Sequence, residues 1–148
     1  ILSLIGFLSF PLLLNRIGGD ERTMVRRLAG TVKNLYNEAT LTRDEHQLIF
    51  DLDNNSLQAY RMRSVTVEQK EKEPFGREIT LSPLVMHQID VEGQGTFRHG
   101  EVTVRVYPLG WMEQTRLYVR HEDGTEMQLT FSPLTGMITI DEAQTTLP

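Results

Sequence analysis

The sequence predicts an α+β fold: one long N-terminal helix packed on an antiparallel β-sheet or sandwich. Three observations lead there. Residues 1–14 are apolar and uncharged, residues 20–41 place apolar side chains at steps of three and four, and beyond residue 47 the period falls to two. A chain of 148 residues is then one domain with an appendage, since domains typically run about 100–150 residues. The division expected is a segment at 1–19 and a domain at 20–148, with its helix at about 20–41 and its strands at about 47–140.

The first segment is apolar on every side. Leu4, Ile5, Phe7, Leu8, Phe10 and Leu12 cover all faces of a helix, whereas a core helix shows one stripe. Such a segment asks to be buried in a membrane, in a bundle of like segments, or in both. At about 1.5 Å per residue, residues 1–14 make roughly 21 Å, short of a hydrocarbon core of about 30 Å. The expectation is that the segment does not span alone or that residues precede Ile1. It lacks the basic flank and small-residue cleavage site of a secretory signal, with Pro11 and Asn15-Arg16 in those places.

In the helix, Met24, Val25, Leu28, Ala29, Val32, Leu35, Tyr36 and Ala39 form one stripe, and Leu28, Val32, Leu35 and Ala39 are expected to face the sheet. Asp20 and Glu21 suit the positive end of the helix dipole, and Arg22, Arg26, Arg27 and Lys33 are expected on a solvated face. Strands are expected at 48–52, 57–62, 65–67, 79–81, 84–91, 102–106, 116–121, 127–131 and 137–140. Asp53-Asn54-Asn55, Pro108-Leu109-Gly110, Asp123-Gly124 and the stretch 133–136 read as turns. Residues 69–77 mix charges with Pro74 and Gly76 and read as an exposed loop, as does the glycine-spaced stretch 93–100. The polar tail 141–148 is expected to be loose.

Net charge is −5 with no basic block, so nucleic acid is not an expected partner. With no Cys, thiolate catalysis and disulfides are excluded. Asp51-x-Asp53-x-Asn55 opens like a calcium loop, but Ser56 and Met62 occupy the positions that need Gly and Glu. His46, His87, His99 and His121 show no ligand spacing, no Ser sits in a Gly-x-Ser-x-Gly elbow, and Gly93-x-Gly95 lacks a dinucleotide site's third glycine. No catalytic residue, cofactor or metal is therefore expected.

Two stretches carry a family likeness. One runs through Arg26-Arg27-Leu28-Ala29 to Asn37-Glu38-Ala39-Thr40-Leu41-Thr42 and into Leu48-Ile49-Phe50-Asp51-Leu52. The other holds Tyr107-Pro108-Leu109-Gly110, Arg116-Leu117-Tyr118-Val119 and Pro133-Leu134-Thr135-Gly136. In this order they resemble the H-type minor pseudopilins of type II secretion systems and the related minor type IV pilins. The resemblance implies a pilin-like fold and a structural, non-enzymatic subunit. It also implies family-like turns at Pro108, Gly110, Pro133, Thr135 and Gly136. Ile5-Gly6 matches the family's mid-helix pair, which puts the start roughly eight residues upstream and the apolar run at about 22 residues, long enough to span. Implied partners are other pseudopilins or pilins through helix packing, the inner membrane and secretion-system components, with the domain in the periplasm. The rival readings are a minor type IV pilin serving adhesion or DNA uptake, and a membrane-anchored ligand-binding β-domain.

Overall fold

The computed structural model describes residues 19–142; Leu4, Ile5, Phe7, Leu8, Phe10 and Leu12 lie outside the described residues. Helix α1 (Gly19–Thr42) is 24 residues long, about 36 Å at the usual rise. Its Met24, Val25, Leu28, Val32, Leu35, Tyr36 and Ala39 are buried. Asp20 and Glu21 occupy the first turn, where their charge favours the exposed N–H groups. At the other end Arg43 turns left-handed (φ 60°) and its N–H closes on the Ala39 carbonyl at 3.0 Å. That is the αL helix stop, filled here by a residue with a Cβ.

Ten strands follow among the described residues: β1 (His46–Asp51), β2 (Ser56–Ser64), β3 (Lys70–Thr80), β4 (Val85–Val91), β5 (Gly95–Phe97), β6 (Glu101–Tyr107), β7 (Trp111–Met112), β8 (Thr115–Arg120), β9 (Glu126–Phe131) and β10 (Ile138–Glu142). They form two antiparallel sheets, ordered β3-β2-β1-β6-β7 and β10-β9-β8-β4-β5. The period-two residues Val102, Val104 and Val106 of β6 and Met127, Leu129 and Phe131 of β9 point inward and are buried. One core joins α1 to both sheets, with Phe50 and Phe131 meeting across them at 6.0 Å between ring centres.

Several elements differ from the sequence expectation. Residues 69–77 are not a loop, because β3 pairs with β2 along most of its length. Nothing periodic marks β3 because it is an edge strand exposed on both faces. Its charges instead face complementary ones: Glu73 lies opposite Arg61, Glu71 opposite Arg63, and Lys72 Nζ sits 4.4 Å from the Tyr60 ring centre. Pro74 is tolerated since an edge strand has one side that needs no donor. The register slips between Leu57 and Ala59, where Gly76 (φ 77°) lets β3 bulge.

Val65-Thr66-Val67 is not a strand but part of the β2–β3 hairpin loop. The Val65 and Thr66 N–H groups both donate to the Gln69 carbonyl, at 3.0 and 3.2 Å, and both valines are exposed. The stretch 93–100 contains β5, and β10 takes up Asp141 and Glu142 from the expected tail. Lys33 is half-buried rather than free on a solvated face.

The turn after β1 is an Asx turn: Asp51 Oδ1 accepts from the N–H groups of Asp53 and Asn54, both at 3.1 Å. Those bonds hold its carboxyl below the usual range, the Asn54 side-chain amide acting most. Asn55 then clasps the two sheets together. Its amide donates to the Leu84 carbonyl at 2.8 Å, and its side-chain oxygen accepts from Met86 N–H at 2.9 Å.

β3 also lets Phe75 close edge-on over His46, a fully buried imidazole. Nδ1 donates to the Asp44 carbonyl at 2.9 Å, and Nε2 has no partner among the described residues. Burial pushes the His46 pKa below its ordinary 6.5, against the opposing pull of the Asp44 carbonyl. The unfolded chain therefore takes up a proton that the folded chain refuses. Stability is full above about pH 6.5 and falls below it, by at most about 1.4 kcal/mol per pH unit from this residue. His46→Asn keeps a donor for the Asp44 carbonyl and cannot titrate. The stability gap between wild type and variant is expected to shift against wild type from pH 7 to pH 5 (the values at which urea melts would be run). A gap that does not move with pH refutes this account of His46.

Candidate functional site

The two proline-containing turns meet at one side chain. The β6–β7 turn brings Pro108 and Gly110 (φ 84°), and the β9–β10 turn brings Pro133, Thr135 and Gly136 (φ 69°). Between them, the Tyr36 hydroxyl of α1 points at two carbonyls, Gly110 and, at 2.5 Å, Leu134, which share its one proton. Lys33 Nζ donates to the Thr135 carbonyl at 2.7 Å and lies 5.3 Å from the Tyr36 ring centre. Met112 N–H adds a 2.9 Å bond to the Pro133 carbonyl, locking one turn to the other. At the opposite end of α1, Glu21 meets His121 Nδ1, both side chains largely buried. The helix is thus pinned to the sheets at both ends by polar contacts, with Leu28, Val32, Leu35 and Ala39 buried between.

What the fold leaves uncovered is apolar in unusual places. Leu109, Trp111, Leu134 and Met137 are exposed on or beside the two turns, Leu109 at 93%. Along α1 the outward residues Thr23, Arg27, Gly30, Asn34, Asn37 and Leu41 follow steps of four and three, and Leu41 is 80% exposed. A groove of about 530 Å³ lies where the end of α1 passes the edge of the first sheet. It is walled by Arg43, Met62, Lys70, Leu109 and the pair Tyr107 and Trp111, which stack with centres 4.7 Å apart.

Among the described residues no three His, Asp or Glu side chains converge as metal ligands. Asp53 instead accepts from Gly100 N–H at 3.2 Å and faces His99, so its carboxylate ties two loops. Among the described residues, no helix is long and apolar enough to cross a membrane.

No protein-family model and no curated sequence matches the chain. Among solved structures, the minor pseudopilin EpsH from the type 2 secretion system of Vibrio cholerae superposes with a TM-score of 0.62. The match covers 87% of this chain and 99% of that one, at 12% identity. The fold is pilin-like. A helix packed on two antiparallel sheets is thus an arrangement that this chain shares with a minor pseudopilin, and at this identity the likeness speaks for architecture.

In this pilin-like fold the two proline-containing turns serve as the clamp on Tyr36. The sequence marks the turns but not the residues they grip: its spacing makes Tyr36 one more apolar position and puts Lys33 on a solvated face. Arg43 goes unmarked as well. A helix stop normally carries Gly at this place, and no Gly was there to mark it.

Proposed function

We propose that this chain is a minor pseudopilin subunit, assembling into the periplasmic pseudopilus of a type II secretion system. The observation that carries the reading is the superposition on the EpsH structure over 99% of that chain. The chain order supports it. An all-round apolar segment, 1–14, directly precedes a helix whose inner stripe is buried and whose outer stripe from Thr23 to Leu41 is open. In this reading residues 1–19 sit in the inner membrane and fibre core, and the outer stripe packs on neighbouring subunits. Helix packing and burial of apolar surface, at about 25 cal/mol per Å², drive assembly without covalent chemistry.

Three measurements test it. A chain lacking residues 1–19 is expected to be soluble, folded and monomeric; an unfolded or insoluble product places that segment in the domain core. Because the chain has no Cys, Asn34→Cys puts a single thiol on the outer stripe. In the host it is expected to crosslink to another pseudopilin, and deletion of the gene is expected to block secretion. Intact secretion with lost surface pili assigns the chain to type IV pili instead.

A further inference from the structure

The groove at the end of α1 has an electrostatic imbalance that the fold does not use. Its carboxylates are engaged: Asp44 pairs with Arg61 at 2.6 Å, and Glu45 accepts from the Gln47 amide at 3.1 Å. Its two cations are not. Among the described residues, the side chains of Arg43 and Lys70 have no hydrogen bond or ion pair, and both are exposed. Between them lies an apolar floor of Met62, Tyr107, Leu109 and Trp111. A ligand complementary to this surface is anionic and apolar at once.

Two more observations narrow it. Lys70 begins β3 and Trp111 begins β7, the two edge strands of the sheet, so the groove crosses the strand ends over four strand spacings, roughly 19 Å. A trough of that length holds about six residues of extended peptide lying across the strand ends. Arg43 itself stands at a left-handed position (φ 60°) that disfavours any residue with a Cβ relative to Gly. The fold alone is better served by Gly there, so the guanidinium is held at the groove against local preference.

We propose that this groove binds an extended acidic-apolar peptide segment of a partner protein. The segment's carboxylates lie between Arg43 and Lys70, and its apolar side chains lie on Trp111, Leu109 and Met62. The site is separate from the outer stripe of α1, and binding of a free peptide requires no secretion component. Its failure therefore leaves the pseudopilin reading standing, and the converse holds too.

The test is fluorescence anisotropy with the full chain in nonionic detergent. Three labelled probes are compared: a peptide alternating Asp with Phe and Leu, its Lys-for-Asp counterpart, and single-stranded oligothymidine. The acidic peptide is expected to saturate below about 1 mM and the other two are not. Arg43→Gly is expected to weaken it about tenfold or more, as loss of a charge-assisted bond does, while the melting temperature stays level or rises. Lys70→Glu, at an exposed edge position, is expected to weaken binding at least as much, and Trp111→Ala to remove it. No saturation by the acidic peptide, equal binding of the basic one, or tighter binding of the oligonucleotide overturns the proposal. So does unchanged affinity in Arg43→Gly or Lys70→Glu.

Discussion

Leu35→Asp is expected to leave the domain without a cooperative unfolding transition, whereas Asn34→Asp, one residue away, is expected to melt like wild type. Leu35 is fully buried at the centre of the α1 stripe, and Asn34 is exposed on the outer one. Truncating a buried Leu to Ala already costs about 2–5 kcal/mol, and Asp adds a carboxylate that has no partner in an apolar core. Set against a whole-domain stability of about 5–15 kcal/mol, that sum abolishes folding. The exposed substitution should stay within about 0.5 kcal/mol. Circular dichroism during urea titration reads both. A folded Leu35→Asp protein, or an unfolded Asn34→Asp one, means that α1 presents a different face to the sheets.

Gly136→Ala is expected to destabilise the domain by roughly 2–5 kcal/mol. Two costs add. The backbone at Gly136 is left-handed (φ 69°), where an L-residue loses about 1–2 kcal/mol. A Cβ there would also lie 2.8 Å from both Cβ and Cγ of Tyr36. Those atoms are at the root of the side chain, and the hydroxyl at its far end is tied to Gly110 and Leu134, so the ring cannot step aside. Overpacking of this kind typically costs about 1–3 kcal/mol. Gly124→Ala isolates the first cost, because Gly124 is also left-handed (φ 89°) with nothing within 4 Å of the added carbon. If the two variants lose equal stability by denaturant titration, contact with Tyr36 is not what requires glycine at Gly136.

How much of this was legible in the chain depends on whether an element buries a face of its own. α1 does, and its spacing of three and four marks Leu28, Val32, Leu35 and Ala39 without any tertiary information. The inward residues of β6 and β9 do so too, at period two. The edge strand β3 buries neither face along most of its length, so Lys70 to Glu73 carry no hydrophobic signature and look like a solvated loop. Its strand character comes from pairing with β2, which is a property of two segments together. Val65 and Val67 erred in the opposite direction, since their β-branched propensity was overridden by the hairpin they close.

By itself, then, the sequence determined the fold class, the inner face of the helix, most strand positions and the two proline turns. These follow from local periodicity and from residues such as Pro and Gly whose backbone limits travel with them. Only the tertiary structure decided what those turns hold. The Tyr36 hydroxyl reaches carbonyls 74 and 98 positions away, and Lys33 reaches one 102 positions away. Only the tertiary structure, likewise, left Arg43 and Lys70 facing one apolar floor without partners among the described residues. Bonds of that separation leave no local periodic mark, because nothing about either residue's neighbours changes with the identity of its distant partner.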